Sequence, residues 1–388
     1  MHTPNEDRFQ WFNNLTRKFK NGIILTWIGV EPIVTINKPE YMEVVLPSNR
    51  LITKAKMYDI IKPWLGDGLV TSTGEIWLKH RRIITPAFHF NILEEYAAAM
   101  RDKVEILIDS IEAQLDKSRN SPINVFELTV KYTLDTICET AMGINIDCQR
   151  IPNSEYVKAL HNFAHLSSDR FFRFWLRWDA LYYYTEKGQE FLKAIKTMHN
   201  FTEKVIIYKQ LERRNKLAKN PSENNFDDCG KRKRKAFLDL LFDASEKTEN
   251  ALSLREIREE VDTFMFAGHD TISAAISWAL FALGNAPEIQ NKVHEELNEV
   301  FSNKTEVASM KQLGQLKYLD RVIKEVLRLY PSAPSISRRV DSDTIIGDYL
   351  IPKGTILNIH IYQLHHNPDV WDDPVTASHN LVFFIFNY

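Results

Sequence analysis

A mainly α-helical protein with a small β-sheet part is what this chain predicts, on three observations. Glycine is scarce, at 13 of 388 residues, while aromatic residues reach 11%, a balance that favours buried helices over sheets and turns. Apolar residues recur at three- and four-residue spacing over long segments, above all from Ser253 to Leu283. Runs suited to strands are short and confined to two regions, 24–36 and 344–362.

Composition narrows the classes further. Basic and acidic residues nearly cancel, 49 against 51, so nothing global points to nucleic acid or an acidic polymer. The three cysteines, Cys138, Cys148 and Cys229, suit neither a disulfide framework nor a zinc site, which favours a reducing compartment. Residues 1–20 are polar and charged. They lack the apolar core of a signal peptide and the apolar length of a membrane span, so no anchor is expected at the start.

In chain order, Ile24–Trp27 and Ile33–Ile36 read as strands around Gly29-Val30-Glu31-Pro32, and Pro39 opens a short helix. Residues 60–69, with Pro63, Gly66 and Gly68, form a loop leading to a helix in which Trp77 and Arg81 lie four apart on one face. An amphipathic surface helix explains that pair, as does an anionic ligand taking an indole N–H and a guanidinium together. The segments 92–115 and 125–142 read as core helices.

From Arg170 to Tyr184, arginines alternate with aromatics. Core packing, a membrane-facing patch and a nucleic-acid surface rank in that order as explanations. The polar stretch 219–235 is a solvated loop ending in five basic residues. Pro287–Phe301 and Tyr318–Tyr330 are helices, the second stopped by Pro331 and carrying Glu325 and Arg328 at an ion-pair spacing. His365 and His366 are adjacent and share no face, so they are not read as metal ligands, and no metal site is assigned.

The stretch 253–283 organises the rest. Ser253 with Glu256 is a capping box, and Gly284 is a natural stop, which gives about thirty helical residues, or roughly 45 Å. Its first third is charged. From Phe264 to Leu283 it reads as buried on all sides, with Asp270 and Thr271 as costly internal polar groups. Thr271 can bond the Ala267 carbonyl and, with Gly268 lacking a side chain, open a groove for a small ligand and a proton path. The alternative is a satisfied pair of core polar groups.

Four motifs in this order resemble a cytochrome P-450, a haem-thiolate monooxygenase, and more narrowly its family four, which includes fatty-acid omega-hydroxylases. They are Pro63-Trp64-Leu65-Gly66-Asp67-Gly68-Leu69, Thr85-Pro86-Ala87-Phe88-His89-Phe90, Val261 through Thr271, and Glu325-Val326-Leu327-Arg328-Leu329-Tyr330-Pro331. The resemblance covers 11–374 and implies the P-450 fold as one domain over 1–374, C-terminally incomplete, with 375–388 as a non-matching tail.

By that resemblance Asp270 and Thr271 deliver protons to dioxygen, and Trp77, Arg81, Ala267, Gly268 and Arg338 form part of the haem site, with Trp77, Arg81 and Arg338 on its propionates. Glu325 and Arg328 hold the fold. Further implications are NADPH used through a cytochrome reductase, O2 and a lipophilic, fatty-acid-like or xenobiotic substrate. The cytosolic face of the endoplasmic reticulum membrane is the implied location, and no nucleic acid is expected as a partner.

Three departures qualify it. Ala267 replaces a glutamate that often forms an ester to the haem, so no such link is expected. The family's N-terminal anchor is absent. The match fails after Pro374, where the arginine completing the Glu-Arg cluster and the Phe-x-x-Gly-x-Arg-x-Cys loop should follow, so the axial thiolate that drives O–O cleavage is missing. A truncated monooxygenase is therefore the first expectation, and a non-catalytic binding protein or pseudoenzyme on the same scaffold the second.

Overall fold

In the computed structural model the described residues are 10–374, apart from 12, 15–17, 20, 89, 119–120, 152–153, 220–235, 247–251 and 302–307. Cys229, the basic run Lys231–Lys235 and the tail 375–388 lie outside them, as does His89.

The strands are β1 (Ile23–Ile28), β2 (Glu31–Ile36), β3 (Ile336–Arg339), β4 (Thr344–Ile346), β5 (Tyr349–Ile351) and β6 (Ile356–Ile359). Gly29, at φ 63°, allows the tight turn that folds β1 antiparallel onto β2. β2 then runs parallel to β6, and β6 antiparallel to β3, giving the order β1-β2-β6-β3. Ile36, Leu357 and Ile359 are fully buried beneath this sheet. The sheet thus ties Ile33 to Ile356 and fixes β3, which carries Arg338, against the start of the chain.

The helices that position the site are α1 (Gly74–Ile84), α2 (Val125–Thr140), α3 (Glu155–Phe172), α4 (Glu186–Lys219), α5 (Leu254–Gly284) and α6 (Lys317–Leu329). α5 has the boundaries the sequence implies. The Ser253 hydroxyl accepts from the Glu256 N–H at 3.2 Å, and the Glu256 carboxylate accepts from the Ser253 N–H at 2.7 Å. α2 lies against it, with the Thr133 hydroxyl donating to the His269 carbonyl at 3.0 Å. Trp64, Phe163, Phe191, Phe237 and Met265 fill the main core around these helices.

The all-round burial expected from Phe264 to Leu283 holds on one face only, where Met265, His269 and Ser273 are buried. Glu259, Glu260 and Asp262 in the charged third are buried, whereas Ile272, Trp278 and Phe281 are 49%, 41% and 53% exposed. The cause is local satisfaction of charge. Glu259 accepts the Asp67 N–H at 3.1 Å, Glu260 accepts the Leu69 N–H at 3.3 Å, and Arg255 donates to Glu259 at 2.7 Å. A carboxylate bonded in this way can be buried at acceptable cost, and a bare one cannot. The 170–184 stretch divides instead of acting as one patch. Arg170 is buried under Tyr182, its guanidinium 4.4 Å from the ring centroid and its Nε donating to the Leu176 carbonyl at 2.9 Å, while Trp178 and Tyr184 stand out from the surface.

The loop reaches Glu259 and Glu260 only because it comes very close to α5. A Cβ built on Gly68 would lie 2.7 Å from the Glu259 carbonyl oxygen and overlap the Thr263 hydroxyl. Gly68→Ala is therefore expected to destabilise the protein by about 1–3 kcal/mol, since backbone must move to admit the methyl. Urea denaturation measures this, and an unchanged midpoint would show that the contact is slack.

Candidate haem site

A cleft of about 340 Å³ opens between α1, α5 and the segment 54–70. Phe264, Ala267, Leu69 and Val70 give it an apolar surface, and Lys54, Tyr58, Trp77 and Arg81 give it a cationic, hydrogen-bonding edge. A second hollow of about 380 Å³ shares Leu69, Arg81 and Phe264 with it and extends along Ile84 and Thr85.

Trp77 and Arg81 sit together as their spacing implies, the guanidinium 5.5 Å from the indole centroid. α1 is held in that orientation by His80, which points the other way into α5. Its Nδ1 is 2.6 Å from Glu260 and its Nε2 3.4 Å from Glu256. Burial alone would discharge this ring, but Glu260 and Glu256 outweigh burial and raise His80 above its ordinary 6.5. Partial burial likewise opposes charge on Glu256, yet Ser253, Lys79 and His80 hold it down at about 2.

Arg338, on β3, lies beside Lys54 and Tyr58 of that edge and is not itself among the residues lining the cleft. Its Nη1 donates to the Val45 carbonyl at 2.6 Å, and its strand bridges Lys54. Burial lowers the pKa of both Arg338 and Lys54, and Arg338 adds a repulsive contribution at Lys54. Among the described residues none of Lys54, Arg81 and Arg338 forms an ion pair. Thr263 also lines the cleft, 2% exposed, with its hydroxyl lacking a partner within the protein. Lys54, Tyr58 and Thr263 were not legible in the sequence. Lys54 and Tyr58 lie just before and within a single 3-10 turn, Lys56–Ile60, too short to show periodicity, and Thr263 sits within an apolar run where a threonine carries no signal.

The Thr271 hydroxyl donates to the Ala267 carbonyl at 2.7 Å, as its position four residues on suggests. Asp270 is exposed, not an internal group, because it lies on the solvent side of α5. Gly268 does not open toward the cleft, since a Cβ there would lie 2.7 Å from Ile137 of α2. Its missing side chain serves helix packing. Glu325 and Arg328 form a two-bond pair, both at 2.8 Å. Arg328 also donates to the carbonyls of His365 at 2.7 Å and Pro374 at 2.9 Å, away from the cleft. Cys138 and Cys148 are buried in the core with their thiols pushed up by burial, and neither lines the cleft. Where α5 meets α4, buried Asp262 accepts from the Thr202 hydroxyl at 2.6 Å, and burial drives its carboxyl up to about 7 despite Thr202 and Arg258.

The sequence profile described as cytochrome P450 matches residues 2–376. The chain belongs to the cytochrome P450 family. It is similar to cytochrome P450 4V2 of Mus musculus, 40% identical over 96% of this chain and 71% of that one. It is equally similar to cytochrome P450 4c21 of Blattella germanica, at 40% identity over 96% of this chain and 73% of that one. In structure it is similar to the cytochrome P450DA heme domain, with a TM-score of 0.75, 21% identity, and coverage of 95% of this chain and 76% of that one, which establishes a shared fold.

P450 proteins are haem-iron oxidoreductases, and this cleft fits the carboxylate edge of such a group. It brings Lys54, Arg81 and an indole together beside apolar surface, with no ion-pair partner for either cation among the described residues. Among the described residues it offers no thiolate.

His80 gives the site a measurable pH signature. Its raised pKa means that its contribution to stability is complete below 6.5 and is lost as pH rises through the folded-state value. The stability gap between the wild type and His80→Asn should therefore narrow on raising the pH above 6.5. Parallel urea titrations across that range check it, and a gap that widens would mean His80 is neutral in the fold.

Proposed function

We propose that this chain is a haem-binding monooxygenase scaffold, one domain over 1–374, acting on a lipophilic, fatty-acid-like or xenobiotic substrate with O2 and with electrons from NADPH through a reductase. The observation that carries this reading is the pair of cations Lys54 and Arg81 at one edge of an apolar cleft that no carboxylate lines among the described residues, with Arg338 next to Lys54. Trp77 and Arg81 from α1 and Arg338 from β3 would bind the two propionates, while Phe264 and Ala267 lie along the group's face. When bound, haem with a thiolate ligand supplies the splitting of O–O.

The chain's own residues would handle protons. Asp270, exposed, exchanges with solvent. Thr271 holds its hydroxyl proton on the Ala267 carbonyl, which leaves its lone pairs to accept a water beside the cleft. Ala267, having only a methyl group, cannot form an ester link to the haem. A second reading, a non-catalytic haem or lipid carrier on the same scaffold, draws its support from Cys138 and Cys148 lying away from the cleft.

Haem titration of the purified chain tests the first step. Arg81→Ala and Arg338→Ala should each weaken haem affinity by about 10-fold or more, the cost of one charge-assisted bond. Unaltered affinity in both variants would remove the cleft as the haem site. The carbon monoxide difference spectrum separates the two readings, because a thiolate-type Soret band favours the monooxygenase and its absence favours the carrier.

The membrane surface also belongs to this reading. Among the described residues no helix is long and apolar enough to cross a membrane. Trp178, Leu181 and Tyr184 are nevertheless 67%, 58% and 91% exposed, Trp27 and Val30 on the β1–β2 hairpin are 62% and 89% exposed, and Arg177 pairs with Glu31 of that hairpin at 3.7 Å. Such a patch suits the cytosolic face of an endoplasmic reticulum membrane. Trp178→Ser with Leu181→Ser should reduce co-sedimentation with phosphatidylcholine vesicles at least several-fold. Undiminished binding would exclude this face.

A further inference from the structure

Two successive turns of α5 are loaded in the same way. The Ala267 carbonyl takes the hydroxyl of Thr271 at 2.7 Å, and the Thr271 carbonyl takes the hydroxyl of Ser332 at 2.9 Å. The first of these is internal to the helix. The second comes from a residue 61 positions further on, in the connection between α6 and β3. α5 continues without a break through both positions, so each carbonyl receives a hydroxyl while remaining part of a helical ladder. Carbonyls that accept a second donor tilt outward and lengthen the bond to the next turn, which bends the helix at that point.

Ser332 is well placed to impose this from outside. On one side Tyr330 stacks on Trp278 of α5, centroids 4.3 Å apart and 6° between planes. On the other, the Pro334 carbonyl accepts from the Tyr362 N–H at 3.0 Å, and the chain then enters β3, which carries Arg338. Pro331 and Pro334 flank the serine and restrict its backbone. The hydroxyl therefore hangs from a rigid segment held to α5 at one end and to the sheet at the other.

We propose that Ser332 is a positioning residue for Thr271, its hydroxyl holding the Thr271 carbonyl at the start of the 271–275 turn and so fixing the backbone from which the Thr271 hydroxyl projects. The functional half of this rests on the reading of Thr271 as the proton-delivering group. The mechanical half does not. Alanine at 332 leaves the Thr271 carbonyl with its helical partner alone and lets the turn close to ordinary helix. Threonine restores the donor and changes little else.

Hydrogen exchange on the whole chain decides the mechanical half. Ser332→Ala should change exchange in peptides covering 268–276 by about 5-fold, the effect of one neutral hydrogen bond, and leave peptides at the start of α5 unaltered. Ser332→Thr should return the wild-type rates. Exchange that is unaltered in 268–276, or altered equally along all of α5, overturns the proposal, as does failure of the threonine variant to rescue. In haem-loaded protein supplied with NADPH and reductase, Ser332→Ala should raise peroxide released per NADPH consumed, with no additional rise when combined with Thr271→Ala. A local exchange change with an unmoved peroxide ratio keeps the tether and refutes proton delivery by Thr271.

Discussion

The burial of carboxylates at the start of α5 is the constraint on which the rest of this structure depends. Glu259, Glu260 and Asp262 are each no more than 2% exposed, and an unpartnered buried carboxylate costs several kcal/mol. Glu259 and Glu260 are compensated by segments far away in the chain, whereas Asp262 is only partly so, burial raising its carboxyl to about 7. Asp67 and Leu69 bring backbone N–H groups, α1 brings His80, and α4 brings Thr202. The helix cannot be buried with its charges satisfied unless these segments have docked. Gly66, at φ 56°, and Gly68 are the residues that let the loop come close enough.

The cleft follows from this docking. His80 and Arg81 are neighbours on α1, so when His80 is drawn into α5 the helix is rotated to present Trp77 and Arg81 along the other side. The loop that donates to Glu260 continues through Leu69 and Val70, which become the apolar wall. One set of buried ion and amide contacts thus sets the orientation of the cationic edge, and the sheet, through β3, places Arg338 beside it from the far end of the chain.

Local signals carried most of what could be read beforehand. The ends of α5, the Thr271 bond to Ala267, the β1–β2 hairpin and the meeting of Trp77 with Arg81 all depend on residues within a few positions of each other. What escaped depends on distant partners. Whether Glu260 faces water or core is decided by an amide 191 positions away, which no pattern within the helix contains. Gly268 suggests open space until Ile137 of another helix is found against it. The Ser332 bond to Thr271 and the parallel pairing of β2 with β6 are of the same kind, because single sequence windows hold only one of the two partners.

The cationic edge is itself unfavourable within the protein alone. Arg338 and Lys54 repel each other, both are partly desolvated, and the Val45 carbonyl is a neutral partner that offsets only part of that cost. Folding nevertheless brings them together, because β3 must pair with β6 and residue 54 bridges residue 338. Strand pairing and core burial therefore hold an arrangement that an anion would relieve. A ligand carrying two carboxylates would offset the repulsion and fill the hydrogen-bonding capacity of Arg81 and Trp77, so its binding free energy would add to the stability of the fold. Under the proposed function, the stability of the folded scaffold and its affinity for such a ligand would be two expressions of the same electrostatic strain.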